Sequence, residues 1–467
     1  MVKSFPEQLT VGILYLTLLL GAVSCSNEQS LEKRLDAYVQ ECTDRGLFSG
    51  AVLVAKNGKI VLCKGYGMAN YELDVPNTPQ TKFRIGSISK QFTAMLIMQA
   101  QAKGLLHLTD PITKYIPNYP NGEKITIHHL LTHTSGVPLF YSFPEFKNRV
   151  RTPYTLEQVV AIIKQKPLEF EPGEKFSYSC SGYTLLTYII EQVFGNKYET
   201  VLKTQVFDPL TMYDSGYDKS SPIIKHRASG HYYPDVPEGV KWDLKKLVNA
   251  DCIETNMPFE SGAGALYSTV EDLYRWDQAL YTEKLLPKES LTAIFTPYQK
   301  FLTRHYGYGW WIGTFYGHTV IEHSGQIEGF CTDIRRYPED KACIIVLSNI
   351  IDTPAPTISK GLSAIIFGEK PYLPNTKIAA AVNPGIYDQY VGKYKSNNGP
   401  IVTITKENNK LFWSILGEKT ELYPESETEF FFKSFDMPVS FIKNKQGNVT
   451  QLISRVDGEN QVADKIT

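Results

Sequence analysis

One helix-forming stretch, at residues 89–103 of this 467-residue chain, constrains the fold most. Its residues are apolar on most sides, which is typical of a helix buried in a protein core and not of a helix lying on a surface. Ile85-Gly86 can turn the chain sharply into its first turn, and Gly104 is a common residue just beyond a helix end. We therefore expect residues 89–103 to form a largely buried helix.

Two polar residues stand at the start of this helix, Ser87 and Lys90. Residues three apart share one helix face, so the two side chains should meet. A serine hydroxyl is a weak nucleophile until an adjacent base takes its proton, and the helix N-terminus favours developing negative charge. The spacing therefore predicts Ser87 as a nucleophile with Lys90 as its base; a capping role for Ser87 is the alternative. The same spacing at Ser30-Leu31-Glu32-Lys33 lies in a polar stretch without such a helix.

Length and composition favour a globular protein with more than one domain. The chain is longer than one compact core usually is, and 42% of its residues are hydrophobic. A formal net charge of -1 argues against nucleic acid or an anionic membrane surface as a main partner.

The N-terminus is typical of an exported protein. Lys3 precedes an apolar run, Val11–Val23, that is too short to span a bilayer, so residues 1–24 are predicted to be a signal peptide. The run ends in small residues before Cys25, which resembles the lipobox of bacterial lipoproteins, where that cysteine carries the lipid. We expect a periplasmic or cell-surface bacterial protein whose membrane contact is a lipid on Cys25. An ordinary secretory signal with an incidental cysteine is the alternative.

Local patterns divide the remaining chain into three parts. Residues 25–370 mix strands and helices, beginning with two strands joined by Asn57-Gly58, a type I′ hairpin signal. A Gly/Ala-rich stretch at 259–266 is predicted to be a turn before a capped helix. Residues 371–385 are a predicted linker, and 386–467 contain short strands between turns, which predicts a small antiparallel β domain of barrel type.

Several motifs together resemble the serine β-lactamase and penicillin-binding-protein superfamily, and most closely its class C-like branch of β-lactamase-related hydrolases. They occur in consistent order within residues 48–367 and are Phe83–Lys90, Leu130–Gly136, Glu171–Ser179, Tyr306–Trp310 and His323-Ser324-Gly325. The resemblance implies an α+β fold of the β-lactamase/transpeptidase type: an antiparallel sheet flanked by helices, plus a helical subdomain. The C-terminal part resembles the lipocalin-like β domain that some members carry.

The resemblance also implies roles for individual residues. Ser87 matches the nucleophile, Lys90 the lysine that helps to deprotonate it, and Tyr178 the tyrosine that shares this role and protonates the leaving group. One departure is plain, because Cys180 stands where the family's Tyr-x-Asn motif has asparagine. Cysteine is a weak donor and a weak acceptor, which weakens the expectation of amide recognition.

The motif His323-Ser324-Gly325 matches the family's Lys-Thr-Gly strand in its His-x-Gly variant. The resemblance further implies an oxyanion hole formed by the backbone N–H groups of Ser87 and Gln326. His323 could supply a positive charge for a substrate carboxylate, or it could be neutral.

The expected function is hydrolysis through an acyl-enzyme on Ser87, by a D-amino-acid peptidase or an esterase. A β-lactamase and a penicillin- or peptidoglycan-binding sensor lipoprotein without turnover are the alternatives. The expected partner is a small peptide, ester or β-lactam, without nucleic acid or cofactor. His129 and His133 have a metal-ligand spacing, but they lie in the family's structural turn, so no metal is predicted.

Overall fold

A computed structural model describes residues 31–147, 154–219, 222–234, 243–250, 257–301, 303–371, 373, 379–396, 401–415, 418–432, 437–456 and 459–466. The predicted signal peptide at 1–24 and Cys25 lie outside the described residues.

Helices and strands alternate along the first 370 residues, and strands dominate after them. The helices are α1 (31–44), α2 (Ser89–Ala102), α3 (Ile127–Leu131), α4 (Pro144–Lys147), α5 (Leu156–Lys164), α6 (Cys180–Phe194), α7 (Tyr198–Leu202), α8 (Asp208–Leu210), α9 (Met257–Gly264), α10 (Val270–Ala279), α11 (Lys288–Ile294) and α12 (Ala355–Phe367). The strands before residue 370 are β1 (Gly50–Lys56), β2 (Lys59–Tyr66), β3 (Met68–Asn70), β4 (Val75–Pro76), β5 (Phe83–Arg84), β6 (Gly216–Tyr217), β7 (His231–Tyr232), β8 (Val248–Asn249), β9 (Leu266–Ser268), β10 (Gln299–Phe301), β11 (Arg304–Tyr306), β12 (Trp311–Phe315), β13 (His318–Ile327), β14 (Phe330–Tyr337) and β15 (Ala342–Ser348). The later strands are β16 (Gly392–Lys395), β17 (Ile401–Glu407), β18 (Lys410–Ile415), β19 (Glu418–Pro424), β20 (Glu429–Phe431), β21 (Val439–Lys443), β22 (Val449–Val456) and β23 (Glu459–Lys465).

An antiparallel sheet of eight strands, in the order β10-β11-β12-β13-β14-β15-β1-β2, is the centre of the fold. Its first hairpin turns at Asn57 (φ 53°) and Gly58 (φ 71°), the two left-handed residues that a type I′ turn requires. Strand β1 is paired on both sides, with β2 and with β15, and its residues from 50 to 55 are buried. The predicted fold class, an antiparallel sheet with flanking helices, is confirmed.

Helices cover both faces of this sheet. On one face, α2 lies among α6, α9 and α10, where Phe92 stacks on Trp276 with ring centroids 4.4 Å apart. On the other face, α1 and α12 pack apolar residues such as Leu35 and Leu362 against the strands. The predicted buried helix is α2: its residues from 89 to 100 are all buried, and Gly104 beyond it has φ 69°.

The Gly/Ala-rich stretch differs from its prediction as a turn. It forms α9, interrupted at Ser261 (φ 15°, ψ −115°), and then β9. A Cβ on Gly262 would lie 2.4 Å from the hydroxyl oxygens of Thr93 and Thr187. This glycine therefore serves close packing between helices, and tertiary contacts override its low helix propensity.

The C-terminal strands form a closed barrel of eight antiparallel strands, β16 to β23, which confirms the predicted antiparallel β-barrel domain. Closure comes from the pairing of Tyr394 in β16 with Lys465 in β23. Its interior is filled by side chains that are mainly aromatic or branched, including Tyr390, Phe430 and Phe441.

Among the helices of the described ranges, none is long and apolar enough to cross a membrane.

Candidate active site

The serine sits where the chain passes from the sheet region into α2. A single 3-10 turn, Gly86–Ile88, carries Ser87 and leads directly into the helix. Gly86 has φ 51°, and a Cβ there would lie 2.7 Å from the backbone nitrogen of Gln326. On the facing strand, a Cβ on Gly325 would lie 2.0 Å from the carbonyl oxygen of Ile85. Two glycines therefore let β13 approach the serine turn at backbone distance, with the Gln326 nitrogen beside it.

Lys90 lies one helical turn beyond the serine and is fully buried. Its Nζ donates to Ser87 Oγ at 3.0 Å, to Cys180 Sγ at 3.4 Å and to the carbonyl oxygen of Ala263 at 2.8 Å. An ammonium group has three N–H donors, and these three acceptors use all of them. The geometry thus fits a protonated lysine in the resting site.

The surroundings of Lys90 also favour its protonated form. Burial by itself would lower the pKa of this lysine, but the acidic groups of Cys180, Tyr178 and Glu260 around it together raise that pKa above its usual value. Burial raises the pKa of the Tyr178 phenol and of the Cys180 thiol, although the charge of Lys90 pulls both in the opposite direction. The three side chains therefore bind their protons as one coupled group, and its fully protonated form has a charged lysine, a neutral tyrosine and a neutral thiol.

Tyr178 completes the group that the sequence predicted. Its ring centroid is 4.9 Å from Lys90 Nζ, and its phenol is close enough to Ser87 and Lys90 for hydrogen bonding to affect its pKa. The residue lies in the extended segment that precedes α6. Serine, lysine and tyrosine are thus brought together from a 3-10 turn, a helix and a loop, as a shared proton among them requires.

His323, on β13, is buried and neutral. Its Nδ1 lies 2.6 Å from the carbonyl oxygen of Ser324, which can only accept, so Nδ1 carries the proton. Its Nε2, 3.2 Å from the Tyr306 hydroxyl, is then the acceptor. Burial, together with the charge of Lys90, lowers the pKa of His323 to about 3. This histidine therefore supplies no positive charge at neutral pH.

Burial alternates from residue to residue along β13 from His323 to Gln326. His323 and Gly325 are buried residues, whereas Ser324 and Gln326 are exposed. Successive side chains of a strand point to opposite faces of the sheet. The structure thus brings the backbone of Gln326, but not the side chains of Ser324 and Gln326, to the face that carries His323.

Cys180 is the first residue of α6 and is buried against Lys90. Its sulfur accepts from Lys90 Nζ at 3.4 Å, as an asparagine side-chain oxygen at this position could. It has no amide N–H to offer a substrate carbonyl. The chain keeps the contact that holds Lys90 and lacks a donor toward an acyl amide.

The sequence did not indicate a role for four residues of the site. Two lie beside Lys90: the carbonyl oxygen of Ala263 accepts from its Nζ, and Glu260 is a buried carboxylate. The other two are Tyr306, which donates to His323, and His133, whose ring centroid is 4.3 Å from that of Tyr178. Tyr306 and His133 belong to motifs that carried the family resemblance, so the signal was present without a role attached to it.

Comparisons with known proteins show to which family the chain belongs. Residues 33–361 match the family model described as Beta-lactamase. The chain is 31% identical to penicillin-binding protein 4* of Bacillus subtilis (strain 168) over 442 residues, covering 89% of this chain and 94% of that protein.

The chain belongs to the β-lactamase and penicillin-binding-protein superfamily. A further member, the teichoic acid D-alanine hydrolase of Staphylococcus aureus, is 27% identical over 345 residues, covering 74% of this chain and 80% of that protein. Among solved structures, the octameric penicillin-binding-protein homologue from Pyrococcus abyssi is similar with a TM-score of 0.65 and 27% identity, over 92% of this chain and 99% of that one. Residues 376–465, which include the barrel, match a domain of unknown function, DUF3471. The chain is thus a serine hydrolase of this superfamily with a barrel appended.

Proposed function

We propose that this protein cleaves D-aminoacyl esters or peptides through an acyl-enzyme on Ser87, with esters preferred over amides. The 3.0 Å contact between Lys90 Nζ and Ser87 Oγ, inside a buried site beside Tyr178, is the observation that carries the proposal. A capping serine needs no buried lysine against its hydroxyl.

The reaction follows from the three side chains. The reactive form of the site is the one in which the group shared by Lys90 and Tyr178 has lost one proton. In this form Ser87 Oγ attacks the substrate carbonyl, and its proton passes to that group. The bond from the carbonyl carbon to the leaving oxygen or nitrogen then breaks, and Tyr178 protonates the leaving group. Water adds to the acyl-enzyme and releases the acid, and the proton returns to Ser87. Backbone N–H groups of Ser87 and Gln326 would hold the oxyanion during both steps.

Two features of the site support the preference for esters. Cys180, which lies against Lys90, offers no amide donor to a peptide carbonyl, so the site lacks that contact for an amide substrate. Neutral His323 offers no cation for a substrate carboxylate, which favours substrates without a free carboxylate at that position over β-lactams. The teichoic acid D-alanine hydrolase among the relatives is consistent with a D-aminoacyl substrate.

The test compares the purified protein with its Ser87→Ala variant on p-nitrophenyl esters, D-Ala-D-Ala peptides and a chromogenic cephalosporin, and with a fluorophosphonate probe. Ester or peptide turnover that is lost in S87A is the expected result. Ser87-dependent labelling without turnover would replace the proposal by a binding or sensor role, and faster turnover of the cephalosporin than of the esters would replace it by a β-lactamase. No Ser87-dependent labelling would refute the nucleophile.

We also infer export and attachment through a lipid on Cys25, on the sequence of the N-terminal segment. Metabolic labelling with a radioactive fatty acid should mark the wild-type protein and not Cys25→Ser. Unlabelled wild-type protein that is cleaved and released would contradict the lipid anchor.

A further inference from the structure

His133 follows α3 in an unusual backbone conformation. Its φ is 58°, in the left-handed region that non-glycine residues seldom adopt, and its side chain is buried. A metal role, which its spacing from His129 would suggest, does not match the contacts. The Nδ1 of each ring accepts a backbone N–H, from Thr126 to His129 at 3.3 Å and from Ser179 to His133 at 3.1 Å. Across the described ranges, no cluster of His, Cys, Asp or Glu could hold a metal ion.

The contacts of His133 enclose Tyr178. The N–H of Ser177 donates to the carbonyl oxygen of His133 at 2.9 Å, and the N–H of Ser179 donates to its Nδ1. One residue therefore fixes the backbone on both sides of the tyrosine. The two rings also pack together, with centroids 4.3 Å apart and planes at 37°. The loop segment that carries Tyr178 is thus fixed by His133 although it belongs to no helix or strand.

His133 is a neutral ring whose one hydrogen bond from the side chain is the contact with the Ser179 N–H, among the described residues. Because Nδ1 accepts, the proton lies on Nε2, and burial, with the charge of Lys90, lowers the pKa of the ring well below its usual value. In the described part of the chain, Nε2 is buried without a hydrogen-bond partner. A buried unsatisfied donor costs roughly 1–3 kcal/mol, and a purely structural position would be filled at lower cost by an apolar residue.

We propose that His133 is a positioning residue for Tyr178, holding the phenol oxygen in reach of Ser87 and Lys90 through the two backbone contacts. The inference rests on the proposed hydrolase function. It assigns no proton transfer to His133, because the ring does not present a free base to the substrate: its Nδ1 is occupied by Ser179.

Substitutions at position 133 distinguish the effect of the hydrogen-bond acceptor from the effect of the aromatic ring. Asparagine places its Oδ1 where Nδ1 lies along the side chain and tolerates a positive φ. Leucine has no acceptor, and glutamine has one that lies a bond farther out. We expect His133→Asn to keep kcat on a p-nitrophenyl ester close to the wild-type value. His133→Leu and His133→Gln should lose about 10²-fold in kcat, the lower end of what a general acid–base contributes, with KM little changed.

A double-mutant cycle gives the readout that a merely structural role would not produce. If His133 acts through Tyr178, adding H133L to Tyr178→Phe should cost almost nothing further in kcat, whereas independent effects would multiply. Thermal unfolding of each variant identifies loss of fold, and H133Q serves if H133L does not fold. Multiplying effects in the cycle, or full kcat in H133Q, would overturn the proposal. A wild-type protein without Ser87-dependent turnover would instead overturn the proposed function.

Discussion

Replacing Gly86 by alanine should reduce catalysis far more than stability. Alanine at a left-handed φ costs roughly 1–2 kcal/mol in backbone strain. The new Cβ would also lie 2.7 Å from the backbone nitrogen of Gln326, so that strand must move away from the serine turn. Since that nitrogen is the proposed second oxyanion donor, its displacement should lower kcat by about 10²–10³, or about 2.7–4 kcal/mol in the barrier.

Gly104 provides the matched control for this substitution. Its φ of 69° imposes a similar strain on alanine, but among the described residues no atom beyond its chain neighbours lies within 4 Å of the added Cβ. G104A should therefore show the stability loss that the backbone strain alone causes, and it should keep kcat. The assay is kcat and KM on a p-nitrophenyl ester, with the rate of fluorophosphonate labelling and thermal unfolding measured for both variants. A G86A enzyme whose kcat equals that of G104A would refute the reasoning about the oxyanion hole.

Four further predictions follow from the site and the sheet. In Cys180→Asn, a regained amide donor should raise kcat/KM for a D-Ala-D-Ala peptide relative to an ester by about tenfold, the value of one hydrogen bond; an unchanged ratio would contradict this role. The pKa values of Lys90 and Tyr178 are both raised, so the reactive form with one proton fewer is scarce at neutral pH. The value of kcat/KM on an ester should therefore rise from pH 6 to pH 9. A flat profile would argue against this group as the base. His323→Lys should lower KM for a carboxylate-bearing cephalosporin more than for a neutral ester. Burial raises the pKa of Asp333 to about 7. The stability that this carboxyl contributes is therefore complete below pH 4 and is lost as pH rises through 7. In urea unfolding, the difference in the free energy of unfolding between Asp333→Asn and wild type should change by up to about 4 kcal/mol between pH 4 and pH 8.

Local patterns were sufficient where neighbours in sequence are neighbours in space. The hairpin at Asn57-Gly58 and helix α2 depend on residues a few positions apart, and so does the pairing of Ser87 with Lys90. Tyr178 could be assigned only through the family resemblance, because the 3-10 turn and the loop that meet there are far apart in sequence.

What the sequence did not indicate depends on tertiary contacts. The neutral state of His323 results from burial among elements distant in the chain, and the contact from Ser179 to His133 spans 46 positions. Strand β16 of the barrel also depends on such contacts. This strand buries only one fully enclosed side chain, Tyr394, among exposed lysines. Such a strand is defined by the barrel closing around it and not by its own hydrophobic pattern.

The pairing of β1 with β15 has a consequence for how the chain acquires its structure. Ser348, at the end of the partner strand β15, donates to the carbonyl oxygen of Ser49 across 299 positions of sequence. During synthesis at about 5–20 residues per second, the early strand waits about 15–60 s for this partner. Until then, β1 can pair with β2 on one side only, its other edge is exposed to aggregation, and the sheet cannot be completed. The order of synthesis therefore delays completion of the catalytic fold until β15 is made, and a chaperone that shields residues 50–56 should raise the yield of active protein.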